Sequence, residues 1–256
     1  MLAVAPLEQP PPGILSTAYR YWSERRSRTG ALPATRDLLS ATWEFVRDST
    51  PSRSRSRFGD ADYDWDFRVN TTSGAVSWRD RLLGLFLSPY QPTEPVLFRE
   101  MIETVQRNIG GSLSELTFVD LGSGKGRTLL MASDFPFRRI VGVELLPSLH
   151  RIAEENLAQY ESESQRCFAL QAVCSDATIF PMPEEPLLLY LFNPFPEAGL
   201  RRAIENLKAS LQNHPRPAYL LYHNPLLEHV LAEDAFLTKI AGTHQYSIFS
   251  AIPRKT

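Results

Sequence analysis

The chain has 256 residues, and 43% of them are hydrophobic, which is enough to bury a sizeable core. This composition excludes a disordered or fibrous protein. The formal net charge of −2 offers no global attraction to nucleic acid or to an anionic membrane, although local patches of charge could still act.

Cysteine and histidine usage argues for a reducing compartment and against a bound metal. Cys167 and Cys174 are the only cysteines, too few for a disulfide framework and without the paired spacing of a zinc site. The five histidines show no ligand spacing with cysteine or carboxylate residues. No apolar run approaches the roughly 18 residues that a membrane span needs. We therefore expect a cytoplasmic protein with no membrane segment and no metal site.

Residues 1–89 are predicted to form a leader and a helical extension, which could be a lid or a surface for a partner. The first part, residues 4–13, is rich in proline, which favours an extended leader. Apolar residues then recur at helical spacing over 14–28 and 36–47, which predicts two short amphipathic helices. The aromatic residues of 60–90 follow no clean period, which favours a segment that covers a core. The segment between the second predicted helix and these aromatic residues, STPSRSRSRFGD, is typical of a solvated loop. No function is assigned to its arginines, Arg53, Arg55 and Arg57.

Residues 90–256 are predicted to form an α/β core. A helix over 94–108, started by Thr93 and Pro95, precedes it. Short apolar runs then alternate with helical segments, the pattern of βα units on a parallel sheet, and the chain ends in an antiparallel hairpin. The predicted strands are 117–121, 139–144, 168–174, 187–192, 218–223, 236–240 and 245–252. The predicted helices within this core are 125–133, 148–160, 197–211 and 226–232.

The most informative segment is FVDLGSGKGR, in which an apolar strand runs into Asp120 and three glycines before a helix begins. Glycines at such a turn permit unusual backbone angles and let a ligand approach the main chain without meeting a Cβ. We therefore expect a cofactor at this turn. The spacing is GxGxG, and Arg127 stands where a dinucleotide GxGxxG motif has its third glycine, which disfavours NAD. No GKS or GKT follows, so a P-loop would lack its lysine and hydroxyl in register.

The residues Asp-Leu-Gly-Ser-Gly-Lys-Gly resemble motif I of class I S-adenosylmethionine-dependent methyltransferases. The resemblance implies a Rossmann-like, seven-stranded, mostly parallel sheet. It also implies that Glu144, at the end of the next apolar run, accepts the ribose hydroxyls, each such charge-assisted hydrogen bond contributing roughly 1.5 to 3 kcal/mol. Asp176, after the third strand, matches the acidic residue that meets the adenine amino group. Structural alternatives are a helix cap for Glu144 and a turn residue for Asp176. The implied cofactor is S-adenosyl-L-methionine, held at the turn by Asp120, Gly122, Ser123, Gly124 and Gly126.

Two further matches concern the methyl group and the methionine end of the cofactor. In LFNPFP, Asn193 and Pro194 partly resemble the Asn-Pro-Pro-Tyr motif of amino methyltransferases, which implies catalytic roles for both and cofactor contact for Asn193. The sequence departs from that motif at its third and fourth positions, and asparagine before proline is also a common turn former. Tyr90 and Thr93 resemble residues that close over the methionine end in uncharacterised bacterial methyltransferases and, more distantly, in seven-strand protein-lysine methyltransferases. Helix-start packing is the alternative for both.

These motifs predict an S-adenosylmethionine-dependent methyltransferase that acts on an amine-type acceptor, with protein lysine slightly favoured. A protein or a small molecule is preferred to nucleic acid as the acceptor, while His223 and Asn224 are candidates for lining its pocket. Two alternatives stay open, namely a nicotinamide-dependent oxidoreductase on a related fold and a protein that binds the cofactor without catalysis. The sequence does not define the oligomeric state.

Overall fold

The computed structural model describes residues 13–48, 61–72 and 92–251, and its centre is a seven-stranded sheet. In chain order the strands are β1 (Thr117–Leu121), β2 (Arg139–Glu144), β3 (Leu170–Cys174), β4 (Leu187–Phe192), β5 (Ala218–His223), β6 (Thr238–Gly242) and β7 (Tyr246–Ser250). Their spatial order is β3-β2-β1-β4-β5-β7-β6. Strands β1 to β5 pair in parallel, and β7 runs antiparallel between β5 and β6. This arrangement confirms the predicted Rossmann-like fold class with its C-terminal hairpin.

Helices cover both faces of the sheet and add a separate pair at the N-terminus. In chain order they are α1 (Ile14–Thr29), α2 (Ala31–Asp48), α3 (Ala61–Phe67), α4 (Pro95–Asn108), α5 (Arg127–Ser133), α6 (Pro147–Gln159), α7 (Glu197–Asn213) and α8 (Glu228–Ala232). One apolar core packs α4 and α5 against the sheet, and a second core packs α7 and α8 against the opposite face. None of the helices in the described ranges combines the length and the apolarity that crossing a membrane requires.

Burial on both faces explains why the central strands are almost continuously apolar. The sequences LLLYLF of β4 and AYLLYH of β5 are buried along nearly their whole length, as parallel strands covered by helices must be. The strand order reverses between β1 and β4, and ligands of such sheets bind beyond the carboxyl ends of the strands at this switch point. The topology therefore directs attention to the ends of β1 and β4.

The N-terminal region contributes a helical hairpin and a short docked segment. Helices α1 and α2 are joined at Gly30, whose φ of +90° reverses the chain. Helix α3 and the residues up to Thr72 lie against the core, with Tyr63 and Val69 in its larger apolar cluster. The predicted leader over 4–12 lies outside the described residues. So do the loop arginines, Arg53, Arg55 and Arg57, and the predicted cofactor ligand Tyr90.

Several predicted boundaries shift by a few residues for local reasons. Helix α5 begins after Gly126, whose φ of +81° is not helical. Strand β3 begins at Leu170, after Phe168, which is 78% exposed. Strand β6 begins at Thr238, two residues after its predicted start, because the Asp234 carboxylate accepts the backbone N–H of Phe236 in a turn. Thr93 does not cap α4 as predicted, since its hydroxyl bonds elsewhere.

Candidate functional site

The glycine turn follows β1, and Gly122 at its start is exposed. Gly122, Gly124 and Gly126 all have positive φ, at +97°, +54° and +81°. The N–H groups of Gly122 and Ser123 both donate to the carbonyl of Val143 on β2, at 2.8 and 3.1 Å, which fixes the start of the turn. The Ser123 hydroxyl is directed under the turn toward Gly142, and has no hydrogen-bond partner among the described residues. The predicted glycine turn is therefore present, and its contact with a cofactor stays a prediction.

Glu144 lies at the end of β2 and holds this turn through its carboxylate. Its Oε2 accepts the N–H of Gly124 at 2.8 Å, and its Oε1 accepts the N–H of Leu146 at 2.8 Å. Leu146 precedes the first residue of α6, so the carboxylate also steadies the start of that helix. Glu144 therefore has the structural role weighed for it, and its contact with a ribose stays a prediction.

Asp120 ends β1 beneath the turn and is almost completely buried. The Thr128 hydroxyl of α5 donates to its carboxylate. Burial raises the pKa of Asp120 from 3.8 to about 7, the hydrogen bond from Thr128 opposes the shift, and the negative charge of Glu144 adds to it. The side chain therefore belongs to the base of the turn, and its contact with a cofactor stays a prediction.

The end of β4 closes the turn from the other side. A Cβ at Gly122 would lie 2.6 Å from the Cβ of Pro194, so only glycine allows this proline to approach. Asn193 adopts a left-handed φ of +46°. Its amide accepts from Tyr222 Oη at 2.7 Å and donates to the carbonyl of Asn224 at 2.6 Å. Asn193 therefore shapes the rim as a turn former, and its catalytic role stays a prediction.

Asp176 and Thr93, two other predicted ligands, have defined local partners. Asp176 follows β3, and its Oδ1 accepts the N–H and hydroxyl of Thr178, at 2.9 and 2.7 Å, as in a turn. The Thr93 hydroxyl lies 2.9 Å from Tyr190 Oη, which in turn lies 2.8 Å from His223 Nδ1. Burial lowers the pKa of His223 from 6.5 to about 4, so its imidazole is neutral at physiological pH. This buried chain joins the start of α4 to the end of β5.

The segment 61–72 is docked on the glycine turn, and sequence reasoning missed it. Lys125, within the turn, donates from Nζ to Asn70 Oδ1 at 2.9 Å and to the Thr72 carbonyl at 2.6 Å. Asn156 of α6 accepts the N–H of Asn70 at 2.8 Å and donates to its carbonyl at 3.0 Å. Burial lowers the pKa of Lys125 from 10.5 to about 8, against the opposing effect of Asp64. Segment 61–72 therefore stabilises the turn from outside.

Arg127, the residue that replaces the third dinucleotide glycine, is also buried. It donates from Nε to the Thr93 carbonyl at 3.0 Å and from Nη1 to Thr71 Oγ1 at 3.1 Å, and its guanidinium lies 4.1 Å from the centre of the Tyr63 ring. The sequence signal for the docking of segment 61–72 was the pair of cations, Lys125 and Arg127, on either side of Gly126. Cations buried beside such a turn require acceptors from elsewhere in the chain.

The geometry thus brings together Gly122, Gly124, Glu144 and Pro194 at the ends of three adjacent strands. The main chain of the turn, the carboxylate and the proline form a cradle at the switch point, where ligands of such sheets bind, and its occupancy by a cofactor stays a prediction. Asp176 lies beyond Glu144 on the next strand end. Across the described ranges 13–48, 61–72 and 92–251, no group of three or more His, Cys, Asp or Glu side chains could hold a metal ion.

No protein-family model matches the chain, and no curated protein matches it. Among solved structures, an RNA methyltransferase from Salinibacter ruber in complex with S-adenosyl-L-homocysteine is 18% identical, with a TM-score of 0.42, over 65% of this chain and 96% of that one. An rRNA methyltransferase from Streptomyces viridochromogenes is 13% identical, with a TM-score of 0.46, over 64% and 86%. A ribosomal protein L11 methylase from Lactobacillus delbrueckii subsp. bulgaricus is 14% identical, with a TM-score of 0.42, over 64% and 82%. At such identities and TM-scores, these names assign no activity to this chain.

Gly122→Ala is expected to destabilise the protein by about 2 to 4 kcal/mol, because alanine is strained at this φ and its methyl overlaps Pro194. Urea unfolding measures the change. Gly110→Ala is the matched control, since a Cβ there meets nothing within 4 Å. Equal stabilities of the two variants would contradict the close approach of β4 to the turn.

Asp120→Asn is expected to gain stability relative to the unmodified protein as pH rises from about 4 to about 7. In that window the unfolded chain releases a proton that folded Asp120 retains, so the unmodified protein loses stability while the variant does not. The difference in unfolding free energy should grow by as much as about 4 kcal/mol. Urea unfolding at pH 4, 5.5, 7 and 8 measures it, with Asp66→Asn at an exposed position as control. A difference that stays constant over this range refutes the raised pKa.

Proposed function

We propose that the chain binds S-adenosyl-L-methionine at the turn after β1 and transfers its methyl group to an acceptor at the end of β4. The observation that carries this proposal is the hydrogen bond from Gly124 to Glu144, which holds a carboxylate beside the main chain of the glycine turn. A cis-diol needs adjacent acceptors of this kind, and an adenosyl group needs a turn without Cβ atoms. The topological switch point between β1 and β4 is the expected place for such a ligand.

The residues present divide the proposed binding task among themselves. Glu144 would accept the ribose hydroxyls, Asp176 would accept the adenine amino group, and the glycine turn would face the rest of the cofactor. Thr93 precedes α4, and its carbonyl accepts from Arg127; there it would close the methionine end together with Tyr90. Asp120 would support the turn from below, because its own carboxylate is engaged by Thr128.

The chemistry in this proposal requires alignment more than activation. When bound, the cofactor supplies a methyl group already activated by its sulfonium. Pro194 and Asn193 would line the rim where the acceptor enters, so that its nucleophilic atom approaches in line. Positioning of this kind can supply roughly 7 to 11 kcal/mol, and no covalent enzyme intermediate is needed.

A nicotinamide-dependent oxidoreductase is the alternative from another enzyme class. The buried Arg127 at the position of the third dinucleotide glycine disfavours it. A protein that binds the cofactor without catalysis is the second alternative. Retained affinity for S-adenosylmethionine, with no label transferred from its tritiated form to any fraction of a lysate lacking the endogenous enzyme, would favour that alternative.

No contact among the described residues supports the predicted preference for protein lysine. The rim also departs from the Asn-Pro-Pro-Tyr motif of amino methyltransferases, because Phe195 and Pro196 occupy its third and fourth positions. The Phe195 ring lies against Gly199 at the start of α7. The proposal therefore keeps methyl transfer and drops lysine as the favoured acceptor.

Calorimetry tests the proposed cofactor. The unmodified chain is expected to bind S-adenosylmethionine and S-adenosylhomocysteine but not NAD. Glu144→Gln should lower the affinity at least about tenfold, because it removes a charged acceptor worth about 1.5 kcal/mol or more. Asp176→Asn keeps the Oδ1 bonds to Thr178 and should lower the affinity by a smaller factor.

Glu155→Gln, on the exposed side of α6, is the matched control and should bind like the unmodified chain. Glu144 also holds backbone groups, so each variant is titrated below its own unfolding transition, as measured by circular dichroism. Binding of NAD alone, or full affinity in both Glu144→Gln and Asp176→Asn, would overturn the proposal.

A further inference from the structure

The hairpin of α1 and α2 is an addition to the sheet that the fold itself does not require. Its helices are tied to each other by a hydrogen bond from Trp22 Nε1 to Thr35 Oγ1 at 3.0 Å and by an ion pair between Arg25 and Asp37. It carries exposed apolar side chains, with Leu15 85% and Leu32 86% exposed. Large exposed apolar residues on an appended element indicate a surface for a partner.

The charge of α1 selects the kind of partner. Its sixteen residues contain four arginines and one glutamate, in a chain whose net charge is −2. Arg20 and Arg26 are exposed on this helix. A locally positive helix in an otherwise acidic protein is complementary to a polyanion, since screening confines its attraction to ligands that come within about 10 Å.

Aromatic rings interleave with these arginines. Tyr19, 65% exposed, lies 6.1 Å from Trp22 between ring centres. The guanidinium of Arg26 lies over the Trp22 ring at 5.1 Å, and that of Arg25 lies over Tyr21 at 5.2 Å. Tyr19, Trp22 and Arg26 are spaced i, i+3 and i+7, so they share one face of the helix. Aromatic rings and stacked guanidinium planes are the surfaces on which unpaired bases stack, while arginines meet the phosphates.

The hairpin also adjoins the candidate site. Arg28, near the end of α1, pairs with Glu197 at 3.1 Å. Glu197 is the first residue of α7 and follows the Asn193 turn by four positions. A strand bound along α1 would therefore lie beside the rim at which the proposed acceptor enters.

We propose that the face of α1 formed by Tyr19, Trp22 and Arg26, together with the exposed Arg20 on the side of the helix next to Tyr19, binds single-stranded RNA. Duplex DNA offers no unpaired base faces to these rings, whereas RNA loops expose them. An acidic protein would engage the arginines but would leave the rings without a stacking partner. This surface would present RNA to the end of β4, a role that rests on the proposed methyl transfer. An RNA acceptor replaces the protein or small molecule that was preferred from the sequence.

Fluorescence anisotropy with a 12-nucleotide uridine RNA tests the surface on the full chain. Arg20→Gln/Arg26→Gln should weaken binding at least about tenfold and reduce the slope of log affinity against log salt by about 1.4, as the loss of two phosphate contacts predicts. Tyr19→Ala should weaken binding without changing that slope. Arg138→Gln/Arg151→Gln removes the same charge from exposed positions on the core and should change the affinity less than twofold.

Several outcomes would overturn the RNA surface. The first two are equal losses of RNA affinity in the two double variants and tighter binding to a 12-base-pair DNA duplex than to the RNA. The others are displacement of the RNA by polyglutamate as strongly as by unlabelled RNA, and a dimer in sedimentation that Leu15→Glu dissociates. Calorimetry with S-adenosylmethionine on Arg20→Gln/Arg26→Gln separates the two proposals. Unchanged cofactor affinity with weakened RNA binding is expected, while RNA binding by a chain that takes up no cofactor would remove only the methyl-transfer proposal.

Discussion

The hydrogen bond between Gly124 N–H and the Glu144 carboxylate fixes the relation between the ends of β1 and β2. A glycine turn with three positive φ angles has many alternatives in an isolated chain, so one conformation must be held by outside contacts. Glu144 supplies one contact and the Val143 carbonyl supplies two more. Pro194 closes the turn from β4, at a distance only glycine tolerates. The shape of the cradle therefore follows from the parallel register of three strands.

Two buried cations connect this cradle to the upstream chain. Burying Lys125 and Arg127 costs several kcal/mol unless their donors are satisfied. Asn70, Thr72 and Thr93 provide the acceptors, and Asn156 secures the same segment through its backbone. The bonds of Lys125 and Asn156 to Asn70 and Thr72 cross the predicted domain boundary between positions 89 and 90, which stays a prediction. The hydrogen bonds that these acceptors supply offset the cost of dehydrating the cations.

The strands and the glycine turn could be predicted from sequence because their signals are local. Four of the seven strands, β1, β2, β4 and β5, have the bounds that their apolar runs predict, and Glu144 stands at the end of one of them. The docking of Asn70 on Asn156, 86 positions away, leaves no local pattern, since any exposed-looking asparagine could have made it. The same holds for the rim, where the left-handed φ of Asn193 depends on Tyr222 and Asn224. The secondary structure could therefore be predicted from the sequence, whereas the long-range polar contacts could not.

The central claim is that the turn after β1 and the tip of β2 together hold an adenosyl group. A crystal structure of the chain grown with S-adenosylhomocysteine tests it most directly. The account predicts both ribose hydroxyls within about 3 Å of the Glu144 carboxylate, with the sulfur atom facing Pro194. An adenosyl group bound elsewhere, or a ribose held without Glu144, would contradict it.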